Sequence, residues 1–308
     1  MRFKVTLFSL SMTVLAGCGS TISSETLSGS QIEAIAANIE RLHPTIDSNL
    51  KQQVLEVAVN AVDNMVFVEG GEFMMGDFGW ACDPGSAQIC NIDGDSDNYP
   101  VHNVRLDSYH LARYETTVHE FDQFRLAHGK EIYFADRRDD LKILGPNHPS
   151  FTKDWQEVKD YCQWLGQVTA LPVDLPTEAQ WEYAARNRGQ KILFATDSGE
   201  IDRGRNFEPM GNRSILPVGS FPPNPLGIQD LSGNMSEWVD DWFSETYYAE
   251  SPESNPTGPK TGTQKILRGA NNRESLSPIV MRHAEPPTLD RYTTAWGFRC
   301  GIRQGRPL

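Results

Sequence analysis

Leu175-Pro176-Thr177-Glu178-Ala179-Gln180-Trp181-Glu182-Tyr183-Ala184-Ala185-Arg186 is the most densely informative stretch of the chain. Pro176 leads into a helix, and Thr177 with Gln180 three residues later makes a capping box, in which each side chain satisfies the other's free backbone N–H. Trp181 and Ala184 then fall on one face of that helix. A second dense stretch, Asp230-Leu231-Ser232-Gly233-Asn234-Met235-Ser236-Glu237-Trp238-Val239, reads as a turn that ends on a large apolar anchor, Trp238.

Working outward, two further helices are legible: Thr117 to Ala127 carries Phe121 and Phe124, and Lys153 to Val168 carries Val158, Tyr161, Cys162 and Leu165. Near the N-terminus, Ile32, Ile35, Ala36, Ile39 and Leu42 recur at helical spacing and stop before Pro44. After Asp47, Leu50, Val54, Val57, Ala58, Ala61 and Val62 form another stripe. These two helices read as a hairpin packed on the main domain, with a stalk that docks a partner as the alternative. Met65 to Gly76 reads as two short strands around Gly70-Gly71. Beyond Arg188 helical periodicity fades into short strands and turns.

Composition limits what such a chain can do. Its 308 residues carry 28 Lys+Arg against 41 Asp+Glu, a formal net charge of −13, which excludes a general nucleic-acid binder because phosphate neutralisation needs a basic face. Hydrophobic residues at 39% suffice for a packed core and exclude wholesale disorder. Seven Trp, 25 Gly and 19 Pro point to a loop-rich globule with aromatic anchors rather than a bundle or coiled coil.

The first residues read as an address. Met1-Arg2-Phe3-Lys4 is a positive start, Val5 to Leu15 is an apolar run shorter than the ~20 residues a bilayer span needs, and Leu15-Ala16-Gly17-Cys18 follows. This ending resembles the bacterial lipobox. That resemblance implies a signal peptide over 1–17, a lipidated Cys18 as membrane anchor, and placement in a bacterial envelope. With Gly19 in place of Asp, it implies an outer-membrane lipoprotein facing the periplasm. Residues 18–30 read as a flexible tether, 31–63 as the helical extension and 64–308 as the main domain.

Of five Cys, lipidation of Cys18 leaves four, which allow three pairings in an oxidising compartment. The short loop between Cys82 and Cys90, containing Pro84 and Gly85, favours Cys82–Cys90 and Cys162–Cys300. Asp93-Gly94-Asp95-Ser96-Asp97 begins like a calcium loop, but Asn98 replaces the turn Gly and Val104 the final Glu.

Several segments line up in order with one family: Met65 to Gly76, Pro100 to Val104, Glu115-Thr116-Thr117, Leu175 to Arg186, Pro217-Val218-Gly219-Ser220, Asp230 to Val239, Arg268-Gly269 and Gly297-Phe298-Arg299-Cys300. On these motifs the chain resembles the formylglycine-generating enzyme (sulfatase-modifying factor) superfamily, from about Asn64 to Arg303. The resemblance implies a single α+β domain, low in regular secondary structure and related to the C-type lectin fold. It also supports the Cys162–Cys300 pairing. It further implies a structural calcium ion held by the carboxylates of Asp230 and Glu237 and the backbone carbonyls of Gly233 and Met235, an oxygen set suited to that ion.

Formylglycine generation in that family uses two copper-binding cysteines after the Arg-Gly pair, and Ala270 to Arg282 contains none, so no copper is expected. The iron-dependent relatives draw His ligands from a separate helical domain, yet residues 31–64 contain only His43. No Gly-x-Ser-x-Gly elbow or P-loop is present, so no catalytic residue is named. The resemblance thus points to a non-catalytic binding and assembly module with an envelope protein partner, an accessory of a machine such as type VI secretion. The loop from Ala270 to Pro287 is the expected contact surface, through Asn271, Asn272, Arg273, Arg282 and His283. The alternatives are a lectin-like ligand receptor and a diverged metal-dependent oxidase.

Overall fold

Local capping signals set the helix starts. In the computed structural model, Ser28 caps α1 (Gly29–Leu42) with a reciprocal box to Gln31, and Asp47 caps α2 (Ser48–Asp63). The structure describes residues 22–81, 89–90, 97–136, 145–208, 215–269, 279–280, 282–289, 296–303 and 305–308. Among these, no helix is long and apolar enough to cross a membrane.

The remaining elements follow as β1 (Met65–Val68), β2 (Gly71–Met75), β3 (Trp80–Ala81), β4 (Ile89–Cys90), β5 (His102–Leu106), β6 (Tyr109–Ala112), α3 (Val118–Ala127), α4 (Trp155–Thr169), β7 (Val173–Asp174) and α5 (Glu178–Ala185). The chain ends with β8 (Ser236–Trp242), α6 (Tyr247–Glu250), β9 (Lys265–Arg268), β10 (Arg282–Glu285), β11 (Trp296–Phe298) and β12 (Gly301–Ile302). One four-stranded sheet has the order β1-β6-β12-β7 and a second the order β10-β9-β8-β11. In the second sheet only β8 and β11 run parallel.

The N-terminal helices take the packed arrangement. Ile35, Ile39, Val54, Ala58 and Val59 are buried in one cluster with Phe121, Phe124, Tyr161, Trp164 and Leu165 of α3 and α4. The segment ahead of α1 is not a free tether from Ile22 onward. The Asp63 carboxylate at the end of α2 accepts Ser24 Oγ at 2.6 Å and the Thr26 N–H at 3.0 Å, and Leu27 packs against the core.

The strands on either side of Gly70-Gly71 do not pair with each other. Instead β1 pairs with β6 and β2 with β5, so the glycine pair carries the chain from one sheet to another. A Cβ on Gly70 would lie 2.3 Å from the Leu106 carbonyl oxygen, a contact only glycine avoids.

A disulfide joins Cys162 of α4 to Cys300 between β11 and β12, with Cα atoms 5.6 Å apart and both residues buried. It ties positions 138 residues apart, so it restricts the unfolded chain strongly. Replacing both cysteines with Ser is expected to lower unfolding free energy by about 2–5 kcal/mol in urea titration. A smaller gain is expected at the C-cap of α4, where Ala170 sits in the left-handed region at φ 58°. Ala170→Gly should stabilise by about 1 kcal/mol in the same titration.

Candidate functional site

The turn before β8 is bent by three left-handed residues, Asp230 (φ 64°), Gly233 (φ 115°) and Asn234 (φ 56°). This brings Asp230 and Glu237 close to Glu115, which follows β6, and to Arg299, which follows β11. Arg299 and Glu237 form a two-pronged pair: Nε donates to Oε2 at 2.7 Å and Nη2 to Oε1 at 2.7 Å, with both side chains fully buried. Trp181 Nε1 donates to the same Oε2 at 2.9 Å. Glu115 accepts the Asn234 amide at 2.7 Å and the Met235 N–H at 3.1 Å, and Asp230 accepts the Gly219 N–H at 2.7 Å.

Three carboxylates around one guanidinium would carry excess negative charge. Burial, and then the charges of Asp230 and Glu237, hold Glu115 well above the ordinary carboxylate range against the pull of Arg299. Burial likewise raises Asp230, opposed by the Gly219 N–H and Arg299. Burial and the neighbouring carboxylates thus disfavour the charged forms of Glu115 and Asp230.

Those contacts bear on the calcium set expected at Asp230, Gly233, Met235 and Glu237. A calcium ion needs oxygens free to point at it, whereas both Glu237 oxygens are engaged by Arg299 and Trp181. Among the described residues no three His, Cys, Asp or Glu are placed to share a metal ion. As arranged, Glu237 is the member of that set committed to Arg299 and Trp181.

A second buried network is built on α5. Its N-cap Thr177 and Gln180 form the expected reciprocal box, and the helix presents Glu178 and Glu182 inward. Arg268 at the end of β9 donates to Glu178 at 3.0 Å and to Glu182 at 2.8 Å. Arg282 at the start of β10 donates to Glu178 at 2.5 Å and to the Asp97 carbonyl at 2.6 Å. Glu182 also accepts the Gly76 N–H at 3.0 Å and Arg186 at 2.9 Å.

This corrects the expectation for Arg282, which is a buried strut and not an exposed contact, because its charge is taken up by Glu178. His283, the next residue along β10, is exposed as expected. Asn271, Asn272 and Arg273 lie outside the described residues, as do Cys18, Cys82, the Cys90 side chain and the acidic run Asp93 to Ser96. At the edge of this network the Tyr248 hydroxyl and Arg268 Nε are buried without a hydrogen-bond partner.

Asp241 completes the network by accepting the Glu178 N–H at 2.8 Å. Burial, and next the charge of Glu178, push its carboxyl up to about 8. Sequence reading assigns no role to Glu115 or Asp241 and does not show the arginine pairings. Arg299 does adjoin Cys300 in a recognised motif, and Glu178 sits inside the capping motif, but nothing local says which charges they meet.

Two outcomes follow from these pairs. Arg299→Met leaves Glu237 buried without its partner and is expected to cost about 3–5 kcal/mol in denaturant unfolding. For Asp241, a folded pKa above the unfolded value of roughly 4 means that the native state holds a proton the unfolded chain releases. Its contribution to stability therefore falls as pH rises from about 4 to about 8. Asp241→Asn removes that slope, so the stability difference between variant and wild type should shift in the variant's favour across this window, read from melts at several pH values.

The sequence and the fold have counterparts in known proteins. The chain is 32% identical over 297 residues to the formylglycine-generating enzyme of Streptomyces coelicolor, covering 76% of this chain and 88% of that one. It is 29% identical over 302 residues to the serine/threonine-protein kinase pkn1 of Chlamydia pneumoniae, covering 91% of this chain but only 45% of the kinase's length. Among solved structures it resembles PvdO from Pseudomonas aeruginosa, with a TM-score of 0.60 at 25% identity over 78% of this chain and 94% of that one. A family model for the sulfatase-modifying factor enzyme 1-like domain matches residues 51–304. The chain belongs to that family.

Proposed function

We propose that this chain is a non-catalytic member of its family that works as a binding and assembly module at a bacterial envelope, held there through a lipidated Cys18. One observation carries the reading. The two arginines that bracket the segment from Gly269 to Met281, Arg268 and Arg282, are both consumed in buried pairs with α5. The intervening sequence contains no thiol to bind copper. The frame that holds the segment is thus built, while the soft ligands that oxygen activation requires are missing.

The sequence of this segment, with Asn271, Asn272 and Arg273, has residue types suited to polar recognition of a protein surface. His283 on the adjoining exposed edge of β10 extends that surface. Lipid anchorage would add the membrane as a second partner, and the acidic balance gives no basis for nucleic-acid binding.

The test is affinity capture of full-length chain from gently solubilised native envelopes, compared with a variant carrying Asn271→Ala, Asn272→Ala and Arg273→Glu that melts like wild type. A stoichiometric partner lost from the variant is the expected result. A partner retained in full would remove this surface from consideration. Conversion of a sulfatase-type Cys peptide to formylglycine by the purified chain with copper(I) would overturn the non-catalytic reading.

A further inference from the structure

A cavity of about 220 Å³ opens where the N-terminal hairpin meets the main domain. Its walls are the last turn of α2 (Asn60, Ala61), the first turn of α3 (His119, Glu120), and Tyr161 and Leu165 of α4, with the disulfide-bonded Cys300 at the floor. The volume corresponds to roughly seven waters, too small for a drug-sized ligand and right for a small metabolite.

Tyr161 is 1% exposed and packs its ring against Phe121, Phe124, Trp164 and Phe298, so the aromatic body is fixed. Its hydroxyl makes no hydrogen bond to another described residue, and Tyr161 lines the cavity. Burial raises its pKa well above the usual value, with the negative charge of Glu120 adding to the effect, and both residues line the cavity. Glu120 uses Oε2 to close the capping box on Thr117, accepting the N–H at 2.7 Å and Oγ1 at 2.8 Å. Its Oε1 makes no such bond and remains available.

The cavity lining carries two acids, Glu120 and Glu115, the hydroxyl of Tyr161 among several neutral hydroxyls and amides, the imidazole of His119, and no Lys or Arg. A carboxylate with an open position favours a donor that is itself charged, and the Tyr161 hydroxyl both donates and accepts. We propose that this cavity is a binding site for a small protonated amine that carries neighbouring hydroxyls, an amino sugar or amino alcohol, with the ammonium on Glu120 and a hydroxyl on Tyr161. The site is separate from the segment between Arg268 and Arg282, so it stands or falls independently of the assembly role.

The probes are D-glucosamine and D-glucose, which share a shape and differ by the ammonium, titrated by NMR into the full chain near pH 6.5. Saturable shifts in the α2–α3–α4 region with glucosamine, and at least about tenfold weaker ones with glucose, are expected. Glu120→Gln retains a capping-box partner and should weaken glucosamine binding by about tenfold or more without changing the melting temperature. Asn60→Trp, at the exposed mouth, should abolish binding. Equal response to both sugars, no saturable response to glucosamine, or unchanged affinity in either variant would each overturn the assignment.

Discussion

Arg299 is the fixture that the rest of the structure hangs on. Its guanidinium has five N–H donors in a rigid plane, and all five are used. Nε and one Nη2 hydrogen reach Glu237, the other Nη2 hydrogen reaches the Gln229 carbonyl, and Nη1 reaches the Ala112 and Arg113 carbonyls. One side chain thereby joins the end of β6, the irregular turn before β8, and β8 itself, while the next residue, Cys300, bonds covalently to α4. Lysine offers only three donors from a single point and could not span that set. The pair contributes little net stability, since desolvating both charges costs about what their attraction returns. Its effect is to admit one arrangement of three distant segments and penalise the others.

The network on α5 follows the same logic with a difference at its edge. Glu178 and Glu182 receive three arginines from β9, β10 and α5 itself, again fully buried. Here the satisfaction is incomplete: Arg268 Nε and the Tyr248 hydroxyl remain without partners. Full satisfaction around Arg299 contrasts with this unmet polar capacity, which stays buried with Arg268 and Tyr248.

What could be read in the sequence was local. The capping boxes at Thr117 and Thr177 and the apolar stripes of α1 to α4 are encoded within a few residues of where they act, so spacing reveals them. Two strands flanking Gly70-Gly71 were legible for the same reason. Their true partners, β6 and β5, lie more than 25 residues on, and no local pattern distinguishes a hairpin from a crossover between sheets. Arg282 reads as a surface contact because unpaired arginines are ordinarily exposed. Its burial depends on Glu178, 104 residues away. The Ser- and Thr-rich run before α1 lacks a hydrophobic period, yet Asp63 pins it through hydrogen bonds that composition does not show.

The buried pairs sit on both sides of the cysteine-free stretch from Ala270 to Met281. The joints that order the strands are carboxylate–guanidinium pairs among the described residues of β8, β9, β10, α5 and the link after β11. Thiols in that stretch would serve a reaction and would not be needed to close the core. These joints contain no thiol, so their closure does not depend on cysteines in that stretch. Architecture and chemistry are separable in this domain because the charges that define the first are buried on different elements from the residues that would supply the second.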